Sequence, residues 1–286
     1  MRVLVICAWS MGLMLLGSVC RVSAQAPELR GNAFRVRKVL VLHSYHSDTQ
    51  WTRDITAGIT AGLEGADVPV DLHVEYMDTK RYYNEEYLAK LKAVYKYKFS
   101  EAPADVLITV DDNALRFAVD SRSDVFSGVP IVFCGVNHYD PGEFAEQRNL
   151  TGIVESWDAL GTVRLALHLH PGTTTLYVIN DDTPTGRANR ARLDESFASP
   201  DARVDVQYLG SGVTMQQLQQ QVAQLPENSV VLMMSFNRDS EGVYYDYETS
   251  IEFVRKVCER PMYGVWDFYL GHGIVGGHLT SGETQG

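Results

Sequence analysis

Five aspartates stand where they could bring negative charge to a single binding site. Each lies at or just after the end of a short apolar run: Asp111, Asp112, Asp181, Asp182 and Asp267. Carboxylates that lie close together repel one another, and a cation placed between them relieves that repulsion. The nearest basic group that the sequence places there is the mostly neutral His46. These residues therefore predict a ligand that bears an amine, such as an amino acid or a modified aromatic amine, in preference to a phosphate or a dicarboxylate.

Polar and aromatic residues accompany these aspartates at the ends of predicted strands. In an open α/β sheet, ligands bind beyond the carboxyl ends of the strands, and a few polar groups among aromatic walls suit a small-molecule pocket. The other predicted cleft residues are Ser44, Tyr45, Trp51, Asn113, Asn137, Phe236 and Trp266. Two plainer alternatives remain open. The first four aspartates could simply cap the helices that follow them, and the aromatic residues could belong to the core.

Catalytic and metal-binding patterns are weak in this sequence. His43 and His46, with Asp48 nearby, have a spacing that could hold a metal, but no second group of ligands has a matching spacing. The sequence contains no GxSxG, no HExxH and no P-loop. We therefore expect a binding region with no catalytic residue, no metal site and no cofactor.

Strands and helices alternate along the chain, which predicts parallel sheets. Strands are predicted at 38–42, 70–76, 106–110 and 130–136, and again at 175–179, 203–208 and 230–234, with a last strand that ends at Trp266. The second half repeats the first: Val129-Pro130-Ile131-Val132 is echoed by Arg260-Pro261-Met262-Tyr263. The predicted fold is α/β, with two Rossmann-like lobes whose parallel sheets are flanked by helices and which face each other across a cleft.

Lobe boundaries and chain ends follow from the same pattern. We expect an N-terminal lobe at 25–150 and, at 151–286, a C-terminal lobe with the start of a return crossover, the first crossing lying near 150–154. The glycine-rich segment 271–286 looks like the approach to that return, so the fold is predicted to be C-terminally truncated. Arg2, an apolar stretch at 3–19 and small residues at 22–24 predict a signal peptide at 1–24, with Gln25 as the first mature residue. A retained membrane anchor is the alternative.

Composition limits the partners. The formal net charge is -11 with no basic block, which argues against nucleic acid and anionic membrane surfaces. A hydrophobic content of 45% is enough for a substantial core. Outside the signal segment the cysteines are Cys134 and Cys258, which we expect to be free and buried because they fall in different lobes. With the signal peptide, these features predict a periplasmic or other extracytoplasmic location.

The segment VLHSYHSDTQWTRDITAGI at 41–59, the acidic pair Asp111-Asp112 and the GIVGG at 273–277 resemble a known family. They are similar to extracytoplasmic sensor domains related to the substrate-binding proteins of ABC transporters. This resemblance implies a periplasmic-binding-protein type I-like fold and a small-molecule ligand. It also implies a place in front of a bacterial histidine kinase or diguanylate cyclase, which would act as a signalling module in cis. A free-standing periplasmic substrate-binding protein, with an ABC permease as its partner in trans, is the alternative.

Overall fold

The computed structural model describes residues 35–286 except 102, 138 and 199–203. The predicted signal peptide and its cleavage site before Gln25 lie outside the described residues. Within the described part, no helix combines the length and the apolar character that crossing a bilayer requires.

The first sheet is built from five parallel strands. They are β1 Arg37–His43, β2 Val70–Tyr76, β3 Val106–Val110, β4 Ile131–Val136 and β5 Leu150–Val154, in the order β2-β1-β3-β4-β5. From Val39 to His43 the central strand β1 is buried without a break. A continuous run of apolar, β-branched residues is typical of a strand covered on both faces.

The second sheet repeats this topology with four parallel strands. They are β6 Thr175–Asn180, β7 Asp205–Leu209, β8 Ser229–Ser235 and β9 Met262–Gly264, in the order β7-β6-β8-β9. This order corresponds to β2-β1-β3-β4 of the first sheet, and every residue of β8 is buried. The predicted architecture of two parallel-sheet lobes flanked by helices is confirmed.

In the described residues, eight α-helices connect and cover the strands. They are α1 Gln50–Glu64, α2 Glu85–Phe99, α3 Asp111–Asp120, α4 Ala159–Leu169, α5 Pro184–Phe197, α6 Met215–Val222, α7 Tyr247–Arg255 and α8 Gly282–Gln285. Several begin with a side-chain cap: Thr49 accepts from the N–H of Thr52 and Asn84 from that of Tyr87. Helix α5 has Thr183 as its N-cap and Pro184 as its first residue, where the missing N–H of proline costs nothing.

The crossing between the sheets lies later than the segment 150–154. That segment is strand β5, which pairs in parallel with β4 at the edge of the first sheet. The chain leaves the first sheet after Val154 and enters α4, which is capped by Asp158. At the other end, α8 packs against α1, so the last residues of this sequence lie on the first lobe.

The two cysteines of the described residues, Cys134 and Cys258, are as the sequence predicts. Cys134 lies in β4 and Cys258 follows α7; both are buried and free. Burial raises the pKa of the Cys134 thiol to about 12, so it behaves as a small apolar side chain.

Candidate functional site

Lys80 lies in the contact between the two lobes. It follows β2, and only 5% of the residue is exposed. Its Nζ donates to the Oγ1 of Thr185 at 3.3 Å and to the Oδ1 of Asn237 at 3.2 Å, both in the second lobe. The same Nζ lies 4.5 Å from the ring centre of Tyr45 and 5.4 Å from that of Tyr247. One ammonium group therefore contacts the strand-end loops of both lobes.

The expectation that no basic group other than His46 lies near the aspartates is wrong. The turn after β2 brings Lys80 inward, because Asp78 adopts a left-handed backbone with φ of 52°. Thr79 then fixes that turn, since its N–H and its Oγ1 both donate to the carbonyl of Ser44, at 2.8 and 2.7 Å. Burial lowers the pKa of Lys80, while the nearby carboxyls of Asp181 and Asp111 oppose that effect. Lys80 could have been found from the sequence, because ligands bind beyond the carboxyl ends of strands and Lys80 follows the end of β2.

Asp111 is a buried carboxyl at the end of β3. Its Oδ1 accepts from the indole N–H of Trp51 at 2.9 Å, and its Oδ2 has no partner among the described residues. Its backbone is left-handed, with φ of 68°, an unfavourable conformation for a residue other than glycine. Burial, and then the carboxyl of Glu155, raise the pKa of Asp111 well above its ordinary value. Such strain and such a shift are typical of functional sites.

Glu155 is a second buried carboxyl, which the sequence did not single out. It follows β5, is 2% exposed, and its Oε1 accepts from the indole N–H of Trp266 at 2.6 Å. Burial raises its pKa to about 8, against the effect of that hydrogen bond. Glu155 was missed because the segment before it was taken for the crossing between lobes and not for a strand. Placing a strand there would have put Glu155 at a strand end.

An aromatic layer adjoins these carboxyls. The rings of Trp266 and Phe268 are stacked with centres 5.8 Å apart, and Trp157 meets Trp266 edge-on at 6.4 Å. Arg192 lies over the ring of Trp157 at 4.2 Å and donates to the carbonyl of Glu155 at 3.0 Å. These rings come from the segments after β5 and β9, so they too bridge the lobes. Of this layer, sequence analysis had selected Trp266 alone.

Several predicted cleft residues hold the scaffold together. Ser44 Oγ donates to the carbonyl of Val110 and accepts from the N–H of Ala114, tying β1 to α3. Phe236 is fully buried against Tyr245. These two side chains are engaged within their own lobes.

Other predicted residues lie closer to the lobe interface. Tyr45 Oη is 3.1 Å from Thr185 Oγ1 across the lobes. Asn113 Nδ2 donates to Thr79 Oγ1 at 2.9 Å. Asn137 donates its N–H to Asp112 Oδ2 at 3.1 Å, and its Oδ1 accepts from the indole N–H of Trp157 at 3.4 Å.

The alternative that the aspartates cap helices does not hold for these positions. The N-cap position of α3 is Val110, without a side-chain cap, and α5 is capped by Thr183. Asp181 instead accepts four hydrogen bonds, from the N–H and Oγ1 of Thr183 and from the N–H groups of Asn237 and Arg238. Asp182 Oδ2 accepts from two groups of the 211–212 loop. Asp267 begins a 3-10 helix, and its buried Oδ1 has no partner among the described residues.

Two of the cavities formed by the described residues lie between the lobes. One, of about 330 Å³, lies beside Lys80 and is bounded by Tyr83, Arg187 and Arg238. The other, of about 320 Å³, lies beside Tyr45 and includes Asp112, Asn113, Arg116 and Thr185. Both have the size of a small-molecule pocket. The part of the chain that the structure describes contains no group of three or more His, Cys, Asp or Glu side chains that could hold a metal.

Comparison with known proteins finds likeness in structure only. No family model matches this sequence, and no curated protein matches it. A conserved domain protein from Vibrio cholerae has a TM-score of 0.61 and 17% identity, covering 85% of this chain and 79% of its own. An ABC domain in complex with L-Trp from Streptococcus pneumoniae has a TM-score of 0.59 and 15% identity, covering 88% and 81%. A periplasmic sugar-binding protein from Pseudomonas fluorescens has a TM-score of 0.54 and 16% identity, covering 87% and 77%.

These similarities concern the fold. The structural neighbours include periplasmic sugar-binding and ABC-type binding proteins of the type I-like class, and this chain has the same arrangement of two parallel-sheet lobes. The expected periplasmic-binding-protein-like fold is therefore confirmed.

Proposed function

We propose that this protein binds a small molecule between its two lobes and closes over it. The observation that carries the proposal is the position of Lys80, whose ammonium group is buried and contacts Thr185 and Asn237 of the opposite lobe. Two cavities of suitable size flank this contact. The neighbours from Streptococcus pneumoniae and Pseudomonas fluorescens are described as binding L-Trp and sugar, which supports a small-molecule ligand here.

Directional contacts across the lobes give closure a physical basis. Besides Lys80, Tyr45 meets Thr185, and Arg238 donates to the carbonyls of Lys80 and, at 2.7 Å, of Arg81. A ligand that touches both lobes favours the closed state by its differential affinity for that state. The residues we assign to this site include Tyr45, Asp111, Asp112, Asn113 and Trp266 from the sequence prediction, with Lys80 and Glu155 added from the structure.

We further propose that closure reports to a membrane signalling module, a histidine kinase or a cyclic-dinucleotide enzyme, from an extracytoplasmic position. The support is the resemblance of the 41–59 segment to the sensor branch of this fold. A free-standing component of an ABC transporter is the second candidate, favoured by the likeness to the Streptococcus pneumoniae ABC domain. The coding sequence after Gly286 separates the two: a transmembrane helix and an output domain in frame support the sensor, and adjacent permease genes after a stop codon support transport. N-terminal sequencing of exported protein tests the predicted start at Gln25.

Ligand binding is tested by thermal shift against amino acids, sugars and organic acids, followed by small-angle X-ray scattering. We expect one compound class to raise the melting temperature and to reduce the radius of gyration. Lys80→Met should abolish the ligand-dependent compaction, because it removes both hydrogen bonds to the second lobe. Lys92→Met is the matched control, since Lys92 pairs with Asp124 inside the first lobe. If no class changes either quantity, or if Lys80→Met compacts like the wild type, closure through Lys80 is refuted.

A further inference from the structure

The cavity beside Lys80 is lined by three cationic side chains. We call it the cation pocket and define it by Lys80, Arg187 and Arg238, with Thr79, Tyr83 and Gly212 on its walls. Lys80 comes from the first lobe and the two arginines from the second. The pocket is therefore completed when the lobes meet.

The three cations bond to neutral oxygens. Lys80 donates to a threonine hydroxyl and an asparagine amide. Arg187 donates to the carbonyl of Asp182, and Arg238 donates to the carbonyls of Lys80 and Arg81. Within the described part of the chain, none of the three has a carboxylate oxygen within 4.0 Å, and the buried Nε of Arg238 donates to no acceptor. Lys80 is buried and Arg238 is half-buried, whereas Arg187 is exposed at the mouth of the cavity. Because buried cations are usually paired, Lys80 and Arg238 leave room for a counter-ion that Arg187 can also reach.

The two carboxylates in the pocket wall are occupied elsewhere. Asp239 Oδ1 accepts from the N–H groups of Glu241 and Val243, and its Oδ2 from the hydroxyl of Tyr245 and the N–H of Met215. Asp182 directs its Oδ2 to the 211–212 loop. Both side chains fix loops and do not neutralise the cations by direct contact.

We infer that the cation pocket binds the carboxylate group of a small monoanionic ligand. This inference rests on the proposed ligand-binding function and names the chemical class of its ligand. Three cationic and two anionic side chains line the pocket, which leaves one net positive charge. One carboxylate balances that charge, whereas a phosphate dianion exceeds it.

The surrounding geometry favours the same ligand group. The planar guanidinium of Arg187 offers paired N–H donors that match the two oxygens of a carboxylate. The pocket also reaches Thr183 and Pro184 at the start of α5, a helix of 14 residues whose N-terminal end is electrostatically positive. Tyr83 supplies an aromatic wall for the rest of the molecule. An amine ligand, which the aspartates alone predicted, would meet three cations here.

The test uses matched probes with the wild-type chain. Acetate, propionate, butyrate and benzoate are compared with their primary amides, with the corresponding primary amines, and with inorganic phosphate, by thermal shift and calorimetry. We expect at least one carboxylate to bind while its amide does not. Arg187→Gln should weaken that binding about tenfold or more, since it removes a charged hydrogen-bond donor. Arg187→Lys should retain part of the affinity.

Arg190→Gln is the control for Arg187→Gln, because it makes the same change one turn along α5, where Arg190 pairs with Asp194 outside the cation pocket. The inference is overturned if acid and amide bind equally, if an amine or phosphate binds more tightly, or if no carboxylate binds. Equal losses of affinity in Arg187→Gln and Arg190→Gln also overturn it. Compaction measured by small-angle X-ray scattering separates the carboxylate inference from the broader proposal of lobe closure. A neutral or cationic compound that compacts the protein leaves lobe closure standing while the carboxylate assignment falls.

Discussion

Two aspartates at the carboxyl edges of the two sheets, after strands that do not correspond, have opposite surroundings. Asp181, after β6, is 2% exposed and accepts four hydrogen bonds through its two oxygens. Asp111, after β3, is 1% exposed, yet it accepts one hydrogen bond from Trp51 and leaves Oδ2 without a partner among the described residues. The same residue type thus stabilises the scaffold in the second lobe and remains available in the first.

The local backbone explains the difference. After Asp181 the chain makes a turn before α5 begins, so Thr183 and the end of β8 can direct N–H groups at its carboxylate. Asp111 is itself the first residue of α3, with no turn between strand and helix and with a left-handed φ of 68°. The neighbouring Gly135 has no side chain, and a Cβ there would lie 3.2 Å from Asp111 Oδ1. The first lobe therefore holds its carboxyl in a strained position with few donors.

The contrast between Asp181 and Asp111 is tested most directly by replacing each carboxylate. Asp181→Ala should lower the free energy of unfolding by about 5 kcal/mol, because it leaves several buried donors without an acceptor. Asp111→Asn should change it by no more than about 1 kcal/mol, because the amide oxygen can still accept from Trp51. Urea denaturation followed by circular dichroism measures both. Similar losses in the two variants would mean that Asp111 is as structural as Asp181.

The second prediction concerns the pH dependence that the buried carboxyls impart. The pKa of Glu155 is raised from 4.5 to about 8 in the folded state, so folding favours its protonated form. Its contribution to stability is fully present below pH 4.5 and is lost as the pH rises through 8. The free energy of unfolding of Glu155→Gln, relative to that of the wild type, should therefore rise by roughly 4 kcal/mol between pH 4.5 and pH 8.

The measurement is urea denaturation of both proteins at pH 5 and pH 8. Glutamine keeps an oxygen that can accept from Trp266, so the comparison isolates the charge. Glu64→Gln, at the exposed end of α1, is the control and should show no such pH-dependent gain. A difference between wild type and Glu155→Gln that stays constant across this range would show that Glu155 titrates normally.

Sequence reasoning found the fold more readily than the site. Strands 70–76 and 106–110 were predicted with the bounds that the structure has, because the alternation of apolar and polar residues in the first and the mainly apolar run in the second are local signals. The donors to Asp181 come from separate segments, and the strained φ of Asp111 is set by tertiary packing, so no local pattern distinguishes the two. The turn that carries Lys80 inward depends on a left-handed residue at Asp78, a conformation that aspartate adopts only occasionally. Predicting Glu155 as a site residue requires recognising edge strand β5, whose residues are mostly exposed and give little hydrophobic signal.

The smallest predicted effect concerns the contact that ties the last residues of the sequence to the first lobe. Helix α1 contains Gly58, where a Cβ would overlap the carbonyl of Glu283 in α8, and Gly62, where a Cβ would meet nothing within 4 Å. Gly58→Ala should lower the melting temperature by about 2–4 °C, since the overlap with α8 costs about 2 kcal/mol and outweighs the helix propensity of about 1 kcal/mol that alanine adds. Gly62→Ala should raise it by a similar amount, because alanine favours a helix over glycine by about 1 kcal/mol. Differential scanning calorimetry measures both, and a rise for both variants would show that α8 does not pack on α1 in solution.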